Sequence, residues 1–76
     1  MMSFTDKIDN IKANYPQGTR IQLDHMEDPF APIPEGMTGT VTFVDDAGTL
    51  HMRWDNGRSL GVVPGVDAFH KIGGDV

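Results

Sequence analysis

Apolar residues recur along this chain with two different periods, and the change between them falls near Pro16. The first fifteen residues contain a helical stripe with spacings of four, three and four: Phe4, Ile8, Ile11 and Tyr15. Ser3 is placed to cap this helix, with Asp6 three residues on, in a weak form of the capping box. Pro16 ends the helix, because proline disfavours helical geometry in the residue before it. We interpret the stripe as a face that docks on the rest of the domain, with partner binding as the alternative.

Downstream of Gly18 the period is two, which is typical of half-buried β-strands. Residues 25–37 interrupt the alternation with three prolines, which cannot donate ladder hydrogen bonds, so this segment is predicted to be a loop. The Pro-Gly pair at residues 64–65 marks a turn before a last short strand. The apolar positions of the five predicted strands are Ile21 and Leu23, Val41 and Phe43, Leu50, Met52 and Trp54, Leu60 and Val62, and Phe69 and Ile72.

The parity of the hairpins predicts their turns. A two-residue loop at Asn56-Gly57 would place Leu60 on the opposite face from Trp54. A three-residue turn over residues 55–57, with Gly57 as a left-handed bulge, brings all apolar residues to one side. It predicts the pairs Trp54 with Arg58, Met52 with Leu60, and Leu50 with Val62. By the same reasoning, a four-residue loop over 45–48 predicts the pairs Phe43 with Leu50 and Val41 with Met52.

Five short strands joined in this order predict a mainly β fold, a small five-stranded SH3-like antiparallel barrel with a short N-terminal α-helix. Seventy-six residues are enough for one domain. The expected organisation is a helical extension over residues 1–15, a barrel domain over 16–73 and a frayed tail over 74–76.

An ordered series of short motifs runs from Tyr15 to Phe69. It comprises G-x-R-I-x-L, M-x-D-P-x-x-P-I-P, G-T-V, V-D-D-x-G-T, W-D-N-G, S-L-G and P-G-x-D, a series more specific than any single turn motif. In these residues the chain resembles a family of small bacterial and phage-related proteins, domain of unknown function 4314. The N-terminal helix lies outside this resemblance. The resemblance implies an SH3-like barrel, often found among genes of conjugative or phage elements, and it brings no established activity.

Charge and composition narrow the classes of function. The net charge is −5, whereas phosphate binding requires clustered cations. The basic residues are instead scattered singly: Lys7, Lys12, Arg20, Arg53, Arg58 and Lys71. Nucleic-acid binding is therefore disfavoured. The absence of cysteine excludes disulfides and thiolate metal sites. With neither a signal sequence nor an apolar run of membrane-spanning length, we expect a cytoplasmic location and no membrane contact.

The polar residues match no catalytic or metal-binding signature. His25, His51 and His70 do not have the spacing of a zinc motif. Asp45 and Asp46 lie in a turn, where aspartate is expected for local hydrogen bonding. No nucleophile motif or phosphate-binding loop occurs. We therefore predict that the protein is not an enzyme and that it has no cofactor and no metal.

Trp54, the only tryptophan, admits two interpretations. Its phase matches that of Leu50 and Met52, which favours a place in the core with its indole N–H bonded to a loop carbonyl. Alternatively, it lies at the barrel rim and grips a peptide, as in SH3-type recognition. Arg58, its predicted cross-strand neighbour, is placed to stack on the ring.

The proline-rich loop is the stronger functional candidate, because thirteen residues without secondary structure are unusual in so small a domain. Its apolar residues either cover the open end of the barrel or form one wall of a ligand groove. We predict a non-enzymatic module that binds a protein partner between the 25–37 loop and the 54–58 hairpin. The predicted partner-binding residues are Met26, Asp28, Phe30, Ile33, Trp54 and Arg58.

Two further expectations concern partners. A nucleic-acid accessory role is the alternative function, and it requires Arg20, Arg53 and Lys71 to converge on one face. An incompletely closed barrel could pair through an edge strand, so the expected state is a monomer or a weak dimer.

Overall fold

The computed structural model describes residues 3–73, which form one helix and one antiparallel sheet. The elements are α1 (Phe4–Asn14), β1 (Arg20–His25), β2 (Thr38–Val44), β3 (Leu50–Trp54) and β4 (Ala68–Lys71). The strand order in the sheet is β3-β2-β1-β4, and every neighbouring pair is antiparallel. The predicted tail, residues 74–76, lies outside the described residues. No helix of the described part is long and apolar enough to cross a membrane.

Helix α1 begins with the predicted capping box. The Ser3 hydroxyl accepts the Asp6 N–H at 3.1 Å, and the Asp6 carboxylate accepts the Ser3 N–H at 3.3 Å. These two bonds satisfy N–H groups that have no partner within the helix. At the other end, Tyr15 is the C-cap and Pro16 follows it, as the sequence predicts.

The helix docks on the sheet, which confirms our interpretation of its apolar stripe. Ile8 is buried, and Ile11 and Tyr15 pack against the core. The Tyr15 ring meets the Phe69 ring of β4 edge-on, with 5.6 Å between centroids. Phe4 is the exception within the stripe, since two thirds of it is exposed at the start of the helix.

The core lies on the inner face of the sheet, and alternation determines which side chains reach it. Trp54 is 1% exposed, and its indole N–H donates to the Leu60 carbonyl oxygen at 2.7 Å. The core placement of Trp54 and its hydrogen bond to a loop carbonyl are both confirmed. The buried cluster comprises Ile21, Leu23, Met26, Ile33, Val41, Leu50, Met52, Trp54 and Val62.

The hairpin after β3 has the predicted three-residue turn. The Trp54 N–H donates to the Arg58 carbonyl at 2.8 Å, and Gly57 has a φ of +89°. Leu50 and Val62 exchange two backbone hydrogen bonds, at 2.9 and 3.0 Å, so this predicted pair is also confirmed. The predicted pair of Met52 with Leu60 forms no bridge in the described residues, since the Leu60 carbonyl accepts the Trp54 indole N–H instead.

The hairpin between β2 and β3 differs from the prediction. Its turn has three residues, 46–48, rather than the predicted four over 45–48, because the Asp45 N–H donates to the Thr49 carbonyl at 3.0 Å. Val41 does pair with Met52, but Phe43 pairs with His51 rather than Leu50, because the register shifts by one residue after Val41. This bulge turns Phe43 to the outer face, where it is 53% exposed and stacks on the His51 ring at 4.1 Å. The predicted shared face of Val41 and Phe43 is therefore wrong.

The described residues form four strands and an unclosed sheet, so the predicted fifth strand and closed barrel are not found. In the segment where that strand was expected, Val62 makes an isolated bridge to Leu50. The Leu60 carbonyl accepts the Trp54 indole, and the Val63 N–H donates to the Asp67 carboxylate at 2.9 Å. Side chains thus take up polar groups that a regular strand would have paired with a neighbour.

Candidate functional site

The loop between β1 and β2 is held to the domain by two buried side chains. Met26 and Ile33 are 6% and 1% exposed, and the Ile33 N–H lies 3.4 Å from the Met26 sulfur. Between them, the Asp28 carboxylate accepts the N–H of Phe30 at 2.8 Å and that of Ala31 at 3.4 Å. This local turn directs Phe30 away from the core, so Phe30 is 92% exposed.

His25 joins the two ends of the loop. Its Nδ1 atom lies 3.0 Å from Glu35 and its Nε2 atom 2.8 Å from Glu27. The hydrogen bonds to Glu35 and then to Glu27 raise the pKa of His25 above 6.5. Carboxylates accept and do not donate, so both contacts are fully made when both ring nitrogens carry protons. The charged imidazolium is therefore the form that holds the loop ends together.

Arg58 connects the β3 hairpin to the middle of the loop. Its two terminal nitrogens donate to the carbonyl oxygens of Ala31 at 2.7 Å and Pro32 at 3.2 Å. The predicted role was to stack on Trp54, but the guanidinium reaches across to the loop backbone instead. Hairpin and loop are therefore in direct contact at the position where the sequence predicts a groove between them.

The six predicted partner-binding residues divide by exposure. Met26, Ile33 and Trp54 are core residues. Asp28 and Arg58 are half-buried, and each is engaged with the loop backbone. Phe30 is the member of the set whose side chain is free for a contact. The loop thus covers the core with two of its apolar residues and exposes a third.

A shallow cavity lies on the other side of the loop, against the turn that precedes β4. Its volume is about 230 Å³, and its apolar lining includes Met26, Pro29, Val63 and Val66. Val63 and Val66 are 37% and 57% exposed. Glu27 and Asp28 line the same cavity. Sequence reasoning missed this surface, because the Pro-Gly pair at 64–65 indicates a turn and its valines follow no strand period.

The Asp67 carboxylate fixes the two walls of this cavity relative to each other. One oxygen accepts the Glu27 N–H from the loop at 2.8 Å, and the other accepts the Val63 N–H from the turn at 2.9 Å. Hydrogen bonds from N–H groups to a carboxylate are stronger than those between neutral groups. The cavity is therefore part of the folded structure rather than a gap between independent loops.

The outer face of the sheet carries a polar network. Arg20 donates to both oxygens of Asp55, at 2.8 and 2.7 Å, and Thr38 donates to the same carboxylate. The hydrogen bond from Arg20, and then that from Thr38, lower the pKa of Asp55 well below 3.8. This network links β1, β2 and the turn after β3.

The three cations of the nucleic-acid alternative do not converge. Arg20 pairs with Thr40 and Thr40 with Arg53, so these two arginines share the outer face. Lys71 pairs with the buried Ile21, so it belongs to the opposite set of alternating positions from the two arginines. Its ammonium lies 5.1 Å from the centre of the Tyr15 ring. The Arg20 charge is, in addition, already matched by Asp55.

The Arg20–Asp55 pair makes the free energy of unfolding depend on pH in the acidic range. The folded state lowers the pKa of Asp55, so its contribution is fully present above 3.8 and is lost as pH falls through the lower folded value. We expect the free energy of unfolding of Asp55→Asn to fall less steeply below pH 3.8 than that of the wild type. Urea titrations at a series of acidic pH values measure both slopes.

Arg20→Gln serves as the partner control for this prediction. It removes the cation that favours the charged form of Asp55, so it should flatten the same part of the profile. The two substitutions together should flatten it no further than either alone, because they remove one interaction. Equal slopes in the wild type and Asp55→Asn would contradict the role of this pair.

The three histidines each contact carboxylates. His51 Nε2 lies 2.9 Å from Asp45, and His70 Nδ1 lies 2.9 Å from Asp24. Within residues 3–73, no group of three or more histidine, aspartate or glutamate side chains is arranged to hold a metal ion.

Comparison with known proteins identifies the family. Searches of curated proteins and of solved structures found no match. A family described as Domain of unknown function (DUF4314) matches residues 4–72. The match begins at the first residue of α1 and ends after β4, so the helix lies inside the family's domain. The motifs alone had implied that the helix lies outside it. The chain belongs to the DUF4314 family.

Proposed function

We propose that the protein is a binding module that holds an extended segment of a protein partner against the loop of residues 26–37. The main support for this proposal is the cavity between the loop and the turn of residues 63–67. Both of its walls present exposed apolar side chains. Pro29 and Val66 contribute from opposite walls, and Phe30 projects from the same loop. Exposed apolar surface with a polar rim is typical of protein interaction sites.

The rigidity of the walls supports this proposal. Three contacts hold the loop: His25 joins its ends, Arg58 holds its middle, and Asp67 ties it to the facing turn. Prolines at positions 29, 32 and 34 further restrict its backbone. A surface ordered before binding loses little conformational entropy when a partner arrives, and that saving contributes directly to affinity.

Charge suggests which partner fits the cavity. Glu27 and Asp28 line it, and the chain as a whole carries a net charge of −5. An acidic surface attracts basic partners and repels acidic ones. The proposed ligand is therefore an extended peptide segment that places one apolar side chain in the cavity and flanks it with lysine or arginine.

The remaining parts of the proposal concern architecture and setting. We propose that the four-stranded sheet is an open form of the SH3-like barrel. In this form, the segment around Val62, with its single bridge to Leu50, occupies the position of the fifth strand. We also propose that the protein acts in the cytoplasm and that it is the product of a bacterial mobile element, the latter because of the family resemblance. The second candidate, a nucleic-acid accessory role, gains no support, because Arg20 is matched by Asp55 and Lys71 lies on the other phase.

A peptide selection tests the proposed function. Extended peptides selected from a random library on the wild-type protein are expected to carry net positive charge and an apolar residue. Val66→Glu places a carboxylate on one wall of the cavity and should weaken the selected peptides at least about tenfold. Val66 is 57% exposed, so this substitution leaves the core intact. Fluorescence anisotropy of labelled peptides measures the affinities.

Phe4→Ser is the matched control, because Phe4 is 67% exposed and lies on the helix rather than on the cavity. It should leave the affinity of the selected peptides unchanged, whereas Phe30→Ser should weaken it. Selection of acidic peptides, or equal binding to the Val66→Glu variant and the wild type, would show that the cavity is not the binding site.

A further inference from the structure

A second and larger cavity lies beyond Leu60, between β3 and the segment that follows its hairpin. Its volume is about 610 Å³. The residues that matter for its chemistry are Thr49, His51, Arg58, Ser59 and Gly61. No aspartate or glutamate lines it, although such residues outnumber lysine and arginine eleven to six in the chain. The nearest carboxylate in contact with the lining is that of Asp45, which is engaged by the His51 ring and the Thr49 N–H. The other polar groups of the cavity are those of Arg58 and of the segment that follows it.

Arg58 brings an uncompensated positive charge to this cavity. Its two contacts are to the carbonyl oxygens of Ala31 and Pro32, which are neutral acceptors. The ion pairs of lysine and arginine in the described part of the chain join Lys12 to Asp46 and Arg20 to Asp55, and neither involves Arg58. A guanidinium has five N–H donors, so donors remain after these two bonds.

The backbone beside Arg58 supplies further donors. The N–H groups of Ser59, Leu60 and Gly61 have no acceptor among residues 3–73, whereas those of Arg58 and Val62 on either side are bonded. Backbone N–H groups without an acceptor in the protein can donate charge-assisted hydrogen bonds to an anion. The Ser59 side chain is exposed and adds a hydroxyl at the same place.

Close packing holds this segment in position. A Cβ atom at Gly61 would lie 3.0 Å from the Thr49 side chain and 3.1 Å from the Leu50 carbonyl oxygen. At Leu60, the carbonyl is fixed by the Trp54 indole. The unbonded N–H groups therefore belong to a backbone whose path is set by the core. Preorganised donors bind an anion without first having to be reordered.

We propose that this cavity is an oxyanion-binding site, in which Arg58 and the N–H groups of residues 59–61 hold a phosphate or carboxylate group. Both groups offer the several oxygen acceptors that such a set of donors requires. This site adjoins the peptide-binding cavity, since Leu60 and Gly61 line both, but Arg58 and Ser59 line only the larger one. The proposal does not rest on the proposed function. The shared chemistry is the oxyanion, and the two sources are distinguished by the probes below.

The experiment is a titration of the full chain followed by amide NMR, with sodium phosphate and sodium acetate as separate probes. Sodium chloride at equal ionic strength corrects for general salt effects. We expect saturable shifts of the Ser59, Leu60 and Gly61 amides with at least one probe. Saturation by phosphate at lower concentration than acetate assigns the site to phosphate groups, and the reverse order assigns it to carboxylates.

Paired arginine variants test the role of the charge. Arg58→Gln should weaken binding at least about tenfold, because a charge-assisted contact is lost. Arg53→Gln makes the same change in net charge on β3, outside the cavity, and should bind within about twofold of the wild type. Arg58→Lys keeps the charge but not the paired contacts to the loop, so it should retain more binding than Arg58→Gln.

Three results would overturn the proposal. The first is a wild-type titration in which the amides of residues 59–61 shift no more with phosphate or acetate than with chloride. The second is equal weakening in Arg53→Gln and Arg58→Gln, which would show a general effect of charge. The third is equal loss in Arg58→Lys and Arg58→Gln, which would show that Arg58 acts only by holding the loop.

Discussion

Replacing Trp54 with alanine is expected to remove about 3–5 kcal/mol from the free energy of unfolding. A domain of this size has a total stability on the order of 4–10 kcal/mol, so this loss removes roughly a third or more of it. The cause is the position of the ring at the centre of the core, where it is 1% exposed. Its Cε3 atom lies 2.7 Å from where a Cβ atom of Gly39 would be, so the ring is packed directly onto the β2 backbone.

The indole contributes a second effect through its hydrogen bond to Leu60. Trp54→Phe keeps an aromatic ring but leaves the Leu60 carbonyl without this donor, and we expect a loss of about 1–3 kcal/mol. Urea unfolding followed by circular dichroism compares both variants with the wild type, since tryptophan fluorescence is lost with the residue. A loss below about 1 kcal/mol for Trp54→Ala would contradict the central position of the ring.

The position of Trp54 was predictable because burial in a strand follows a period of two. Trp54 and Met52 lie in one phase, and the same phase extends across the hairpin only if the turn has three residues. The strand period and the turn length are independent constraints, and both place Trp54 on the buried face. The structure has that turn, closed by the hydrogen bond from Trp54 to Arg58.

The same reasoning gave the wrong face for Phe43, because the alternation of apolar and polar residues does not show where a β-bulge lies. One extra residue after Val41 inverts the phase of the rest of β2, so Phe43 faces outward although it lies two positions beyond Val41. The outward position is stabilised by the ring of His51, its partner on β3. A pattern of apolar and polar letters contains no information about such a cross-strand pair.

The candidate sites were harder to predict than the fold, for a related reason. Met26, Phe30 and Ile33 are all apolar residues of one loop, yet two are buried and one is 92% exposed. The difference arises from the Asp28 turn and from contacts with distant residues such as Arg58. Loop conformation depends on these tertiary contacts, whereas the strands depend mainly on their own alternation.

The docking of α1 leads to the second large prediction, because it depends on a glycine. Gly48 and Gly57 occupy the same position in two three-residue turns, with φ of +88° and +89°. A Cβ atom at Gly48 would lie 2.7 Å from Ile8 Cδ1, whereas one at Gly57 would meet nothing within 4 Å. The two glycines therefore share the same backbone requirement and differ in the side chains packed over them.

Gly57→Ala should cost about 1–2 kcal/mol, the strain of a side chain in the left-handed region. Gly48→Ala should cost about 2–5 kcal/mol, because overpacking against Ile8 adds to the same strain. The difference between the two variants, measured by urea unfolding, isolates the contact with the helix. Adding Ile8→Ala should reduce that difference, since the smaller side chain makes room for the new methyl group. Equal costs for both glycines would mean that the helix yields to the methyl group and is not tightly docked on this turn.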